Sequence, residues 1–599
     1  MRSELAKYLR LPTSGNSATG VASPRRPALI GGLLVFLMLL TGLGWAVSSP
    51  VQGSPDEDYH LGSIWCPRPA DGSCKMDTVN GKPVVRVPIA VASDIVDCYT
   101  FKSSISAGCV PGYQDSEIGW SARFDKGAYP IGYYHFHHLF VGKDVQTSVL
   151  VMRGVNVLIA VALLGTVGFC APQRLKRPLI GAVAASWIPM GVYFISSVNP
   201  SSWAISGLLV YASALYLATQ QEGRSRGVLI LCAVIGAVMC LTSRYDAAFF
   251  LLIVGLALLF GVRWTRRRWP ELCVLVGAAV VGSVVFTSSS QTSKVAYFSR
   301  VANLMDSAIG KSLLVLLVVG LALIFAVRRA RRWWRELCVA AGVVVFVFFT
   351  FMSSLQVSRV SIFSRLQEPA HSAAEQSFVE KLIIGIETAP KYLGGFWGHA
   401  WSPGWYDVPL QIRSPHMLAI MAAGAFVAVS LRRGGWRKWV ALAVLVATMI
   451  GLPANGAMNP IEEYQARYIF PMLAPTFFLM LAIDQDEKEW FTVPQAVWVF
   501  ICGAVCQAIS LHTLLMRYVH GNREPWELNL NKGIEWWWSA PVPPMTVWFL
   551  TTCAATAALS AVMADEQLAD DPTARNSKRL PVKAKGDVRL RSVLSSSTS

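Results

Sequence analysis

Residues 28–48 read ALIGGLLVFLMLLTGLGWAVS, and residues 55–60, just beyond them, read PDEDYH. The first stretch is long enough to cross a bilayer once, since about 20 apolar residues in a helix span the hydrocarbon core. The second packs three carboxylates and an imidazole into six positions at the edge of that span. Membrane proteins have few favourable places for acidic groups, so such a cluster calls for a chemical role before a solvating one. Pro55 ahead of it, and His60 one helical turn past Asp56, predict a helix start with carboxylates near its positive end.

The surrounding chain has 599 residues, 53% hydrophobic and only 15% charged, with a mean hydropathy of +0.44. That is too apolar for a soluble protein and reads as polytopic. The net charge of +17 could suit nucleic acid. The Lys and Arg residues, however, fall in short clusters between apolar runs, with no recognition motif beside them, which excludes that partner and fits cytoplasmic loops. Residues 1–27 carry Arg2, Lys7, Arg10, Arg25 and Arg26, and no small-residue cleavage pattern closes the apolar run after them. They are expected to be a cytoplasmic N-terminal segment, with residues 28–48 a retained first span.

Residues 49–147 are then expected outside, as a large first extracytoplasmic loop. It contains Cys66, Cys74, Cys98 and Cys109. Four cysteines in an oxidising compartment predict two disulfides, with three pairings left open. From residue 148 apolar segments follow closely, at about 148–170, 179–197, 202–219, 227–242, 247–262, 271–287, 313–327, 336–352, 415–431, 438–453, 467–484, 492–514 and 545–563. The expected fold is an all-α polytopic membrane protein of about 14 transmembrane helices. Under this count the clusters at Arg174–Arg177, Arg224–Arg226, Arg263–Arg268, Arg328–Arg335 and Arg432–Lys438 all fall on the cytoplasmic side, as the positive-inside rule requires. The multi-span region, 148–563, carries a direct repeat: residues 251–300 align without gaps on 316–365, with over half the positions identical. Both copies keep the same orientation, unlike the inverted repeats of many transporters. Residues 564–599 are polar and Ser-rich and are expected to be a disordered cytoplasmic tail.

The same topology gathers other unusual residues on the outer side: Arg244 and Asp246 in a short turn, Trp405 and Asp407 in GGFWGHAWSPGWYDVPL, and Glu462, Glu463, Arg467 and Tyr468 in IEEYQARYIFP. Arg244 and Asp246 also read as a structural ion pair, because charges near membranes usually pair. The tryptophans read equally as interface anchors or sugar platforms. Arg467 offers a bidentate fork suited to a phosphate. His135, His137 and His138 lack the companions of a zinc site.

At PDEDYH, at Gly404–Leu410 (GWYDVPL) and at Gln465–Pro471 (QARYIFP), the chain resembles a bacterial family of predicted multi-pass membrane proteins of unknown function, whose members look like glycosyltransferases of the GT-C fold. The family pattern is Pro-Asp-Glu-X-X-His after the first span, a Gly-Trp-Leu-Asp-X-Pro-Leu motif before a late span, and Gln-Gly-Arg-Tyr-X-X-Pro near the end. The resemblance runs from about residue 30 to about residue 515. Ala466 stands where the family has Gly and Tyr406 where it has Leu.

The resemblance implies a GT-C-like arrangement in a bacterial plasma membrane, both termini cytoplasmic and the site extracytoplasmic. It implies a polyprenyl-phosphate sugar donor, a glycan or protein acceptor, Asp56 as general base of an inverting transfer, and Glu57 as its partner or as a metal or acceptor ligand. Asp58 is expected to be solvated. His60, Arg153, Arg244, Asp246, Trp405, Asp407, Glu462, Glu463, Arg467 and Tyr468 are the expected substrate-binding residues. A divalent cation is left open. The competing readings are a transporter or flippase of a lipid-linked glycan, which would need ionisable residues near mid-span, and a non-catalytic envelope assembly protein.

Overall fold

The structure is a computed structural model, and it describes residues 25–68, 74–92, 95–112, 117–287, 395–398, 401–408, 422–424, 427, 434–458, 465–484, 492–523, 527–539 and 541–569. The expected spans at 313–327 and 336–352, nearly all of 415–431, the second copy of the repeat, Glu462, Glu463 and the C-terminal tail from residue 570 lie outside the described residues.

Helix α1 (Arg25–Ala46) buries Leu37, Thr41 and Trp45 and exposes Leu29, Leu33 and Phe36. A helix that is apolar all round and buried on one side belongs with that side on protein and the rest in lipid. After a loop comes α2 (Glu57–Trp65), then β1 (Met76–Val79), β2 (Lys82–Pro88), β3 (Ile118–Ser121) and α3 (Gly132–His138). The strands form an antiparallel sheet with β2 in the middle, Val85 facing both Met76 and Ser121. The expectation of an all-α chain is corrected here: the fold is mostly helical but carries this small sheet. KPVVRVP is rich in β-branched residues, and Val85 and Val87 pack with Leu61, Val91 and Phe124 into a second, smaller core. Disulfide Cys66–Cys74 lies in this smaller core, and Cys98–Cys109 packs against the main one.

The remaining helices are α4 (Val145–Cys170), α5 (Gln173–Ser186), α6 (Pro189–Ile195), α7 (Ser201–Ala218), α8 (Gly223–Ser243), α9 (Tyr245–Gly261), α10 (Trp269–Thr287), α11 (Trp436–Met458), α12 (Ala466–Ile469), α13 (Leu473–Ala482), α14 (Val493–Val519) and α15 (Pro544–Ala569). Among the described residues, seven helices are long and apolar enough to cross a membrane, or eight if α5 and α6 form one broken span. The run expected as one span at 179–197 is that pair, bent by 82°. Pro189 opens α6, a position where its missing N–H costs nothing. Buried on every side, α7 is the centre of the bundle. It meets α8 backbone to backbone: a Cβ on Gly236 would lie 2.6 Å from the Gly207 carbonyl oxygen. Small residues permit such close approach, which is what drives helix packing where lipid and side chains are equally apolar.

Candidate active site

Val47 to Asp56 form an irregular loop between α1 and α2, and its carbonyls are held by side chains from distant helices. Arg153 of α4 donates to the carbonyls of Ala46 (3.0 Å), Ser49 (2.6 Å) and Pro50 (2.7 Å). Tyr193 and Tyr518 donate to Gly53 O, Trp405 Nε1 to Gln52 O (3.0 Å) and Asn199 to Pro55 O (3.1 Å). Gln52 in turn caps the carbonyls of Ala90 and Ala92. Burying a loop requires partners for its polar groups, and here they come from α4, α6, α14 and the segments at residues 199 and 405. The loop is therefore placed by the whole bundle.

Beneath it lies a buried ion pair. Arg153 meets both Glu57 oxygens (2.7 to 3.1 Å), and Glu57 also accepts from the backbone N–H of Ser54 and of Val198, each at 3.2 Å. The side chains are 1% and 0% exposed. A second such pair joins Asp407 to Arg517 near the end of α14, whose guanidinium also donates to the carbonyls of Tyr99 and Ile105. Glu57, Arg153, Trp405 and Asp407 are thus all engaged within the protein; the first three hold the loop, and Asp407 anchors Arg517 on the segment of Tyr99 and Ile105.

Asp56 sits above them, at the start of α2. Its φ of 60° is left-handed, and its side chain makes no capping bond to the helix. An N-cap aspartate normally turns its carboxylate to the N–H groups of the first turn. Here the carboxylate points elsewhere, to two arginines: Oδ1 accepts from Arg123 Nη2 at 2.9 Å, and Oδ2 from Arg467 Nη2. Asp56 keeps 24% side-chain exposure, Arg123 36% and Arg467 4%. Burial works against the charged form, but Arg467 and Arg123 outweigh it and hold the Asp56 carboxyl well below the usual carboxylate range.

Asp58, expected to be solvated, is instead buried and forms an ion pair with Arg123, 2.8 Å from its Nε. The reason is Gly62: a Cβ there would lie 2.6 Å from the Arg123 carbonyl oxygen, so the 121–125 segment lies directly on α2. Tyr406, with φ of 60°, places its ring 5.8 Å from the Arg467 guanidinium and its hydroxyl on Gln465. Tyr468 lies 5.1 Å from Arg467 and 5.0 Å from Arg244. Arg244 is committed to Asp246 and to Ser201 Oγ. A positive φ on a residue as bulky as tyrosine is an outlier, of the kind that concentrates at functional sites.

His60 is buried against Tyr129 and bonds Tyr134 OH at 3.0 Å. Burial, with Arg467, Arg244 and Arg123 pushing the same way against Asp56, lowers its pKa to about 3, so its imidazole is neutral. His135 and His138 bond backbone carbonyls of Arg68 and Ile64, His137 bonds Tyr133 O and Asn156 of α4, and no group of three or more metal-ligating side chains forms among the described residues.

Residues 39–302 match the DUF2142 family of predicted membrane proteins. The match takes in PDEDYH, Arg123, Arg153 and Arg244, while the motifs at 404–410 and 465–471 lie beyond it. No curated protein matches the sequence. Among solved structures, the archaeal oligosaccharyltransferase AglB from Archaeoglobus fulgidus, in complex with an inhibitory peptide and a dolichol-phosphate, is similar at 11% identity over 84% of this chain, with a TM-score of 0.35. The alignment covers 57% of that protein's length, and a likeness at this level carries no argument about fold or activity.

The site thus gathers Asp56, His60, Arg244, Asp246, Arg467 and Tyr468 from widely separated stretches. Sequence reading missed Arg123, Tyr129 and Arg517. Only Arg517 carries a signal, as an arginine at the end of an otherwise apolar run. A cavity of about 700 Å³ lies among the spans, lined mostly by aliphatic residues and glycines of α1, α4, α5, α14 and α15, with Gln507 and Lys176 among its few polar groups. A second, of about 670 Å³, lies over the loop beside Arg68 and Phe124. Neither is lined by Asp56 or Arg467.

Proposed function

We propose that the protein is a membrane glycosyltransferase of GT-C-like architecture, with about 14 spans across the whole chain. It transfers a sugar from a polyprenyl-phosphate donor to a glycan or protein acceptor on the outer face of a bacterial plasma membrane. The observation that carries this reading is a part-exposed carboxylate, Asp56, standing between two arginines at one end of an apolar helix bundle. Sugar transfer from a lipid phosphate needs a base for the acceptor hydroxyl and positive charge for the departing phosphate. In the proposed reaction the acceptor oxygen bonds the anomeric carbon, its proton passes to Asp56, and the bond from that carbon to the phosphate oxygen breaks with its electrons on the lipid phosphate. Arg467 and Arg123 stabilise that charge. Glu57 and Arg153 position the loop and take no part in the chemistry. The intramembrane cavity, lined mostly by apolar side chains, suits a prenyl chain better than a hydrated solute, which favours a lipid-linked substrate over a water-soluble one.

The test is transfer from radiolabelled polyprenyl-phosphate sugars by purified Asp56→Asn protein. Removing a general base costs about 10²- to 10⁴-fold, and undiminished transfer would sink the assignment.

A further inference from the structure

We propose that the Asp56 carboxylate occupies the place of the donor phosphate on Arg467 and Arg123, and that arrival of the phosphate releases it to act as the base. This rests on the reading of the site given above. Both carboxylate oxygens are bound by arginines, one each. A carboxylate held in this way, below its usual range, is a poor proton acceptor, because base strength falls with pKa. The resting site therefore contains the base in an inactive form.

Arg467 is built for more than this one contact. It is buried, flanked by Tyr406 and Tyr468 and anchored on Pro55 O at 3.3 Å, yet its buried Nε has no hydrogen-bond partner among the described residues. A guanidinium offers five donors in a fixed fork, and a buried donor left unused is costly. A phosphate, with more acceptor oxygens than a carboxylate, can take both Nε and Nη2 of such a fork. Arg244, by contrast, has Nε and Nη2 on Asp246 and Nη1 on Ser201, so it is a support for Tyr468 and not a second receptor. Arg123 stays tethered to Asp58 through Nε while its Nη2 changes partner. Once Asp56 has taken the acceptor's proton, the incoming phosphate stands in for its charge against Arg123, Arg244 and Arg467. The 24% exposure of Asp56 leaves a route for the exchange.

The test measures binding of farnesyl phosphate, farnesol and inorganic pyrophosphate to the full chain in nanodiscs, with Asp56→Asn, Asp56→Ser and Arg467→Gln as variants and thermal melting as the check on folding. Removing the internal competitor is expected to tighten farnesyl phosphate binding roughly tenfold, the scale of one charge-assisted bond discounted for partial exposure. Arg467→Gln is expected to weaken it by about the same factor. Farnesyl phosphate bound by wild type but no tighter by either Asp56 variant overturns the exchange and leaves the glycosyltransferase reading standing. Tighter pyrophosphate binding with farnesyl phosphate no better than farnesol supports the exchange and overturns the lipid-phosphate donor. No binding of any phosphate by folded protein overturns both.

Discussion

Replacing Arg153 with Met removes the group that joins α4 to the loop and to α2. The side chain donates three hydrogen bonds to Glu57 and three to the carbonyls of Ala46, Ser49 and Pro50. Both partners are essentially inaccessible, so solvent screening does not dilute the interaction. Breaking a buried pair from one side strands the other charge and costs about 3–5 kcal/mol. Against a typical total stability of about 5–15 kcal/mol, that is a large loss. Glu57→Gln strands the Arg153 charge in its turn but keeps the three carbonyl bonds, and is expected to cost about 3 kcal/mol, the low end of the range for a broken buried pair. The double variant, Glu57→Gln with Arg153→Met, strands no charge, and its loss is expected to fall short of the sum by about 0.5–3 kcal/mol. The assay is equilibrium unfolding in mixed micelles, followed by tryptophan fluorescence. A loss below about 1 kcal/mol for Arg153→Met, or strict additivity in the cycle, would show that the pair does not hold the loop.

Gly236→Leu is expected to lower stability by about 1–3 kcal/mol or more, because the new side chain meets the backbone of Gly207 and Tyr211, which cannot move aside; an unchanged melting temperature would contradict the close approach. Asp407→Asn removes the charge that Arg517 faces and is expected to cost about 3 kcal/mol, read as a drop in melting temperature that Arg517→Met on the same background partly restores. Stability is expected to fall in acid. His60 is held at about 3 when folded and returns to near 6.5 when unfolded, so between those values only the unfolded chain binds the proton and the fold loses up to about 1.4 kcal/mol of stability for each pH unit of acidification. Asp56, lowered from its ordinary value near 4, contributes stability present above that value and lost below it. A His60→Gln variant should flatten the decline in melting temperature between pH 6.5 and 4, and an unchanged slope would exclude the group.

Much of the membrane part is legible without coordinates, because lipid demands long runs without charge and such runs are visible in a string of letters. The boundaries read for 148–170, 247–262 and 492–514 lie within five residues of α4, α9 and α14. The α5–α6 bend escaped because hydropathy reports composition and not direction. The small sheet escaped because short strands in a cysteine-stapled loop have a weak periodic signal. That PDEDYH starts a helix was readable from Pro55 and the register of His60.

Which carboxylate of that cluster stays accessible was not. Asp56, Glu57 and Asp58 are chemically almost equivalent in sequence, and sequence alone cannot say which arginine each one meets. Arg153, Arg123 and Arg467 come from a distant span, a patternless loop and a late helix, and their positions on three sides of α2 depend on Gly62, on the buried loop carbonyls and on the packing of α4 and α12. Charge and hydropathy patterns determined that an acidic cluster stands at the edge of an apolar bundle. Tertiary packing decided that Glu57 and Asp58 are buried in ion pairs and that Asp56 remains partly open, because burial and pairing are set by contacts between residues up to 411 positions apart.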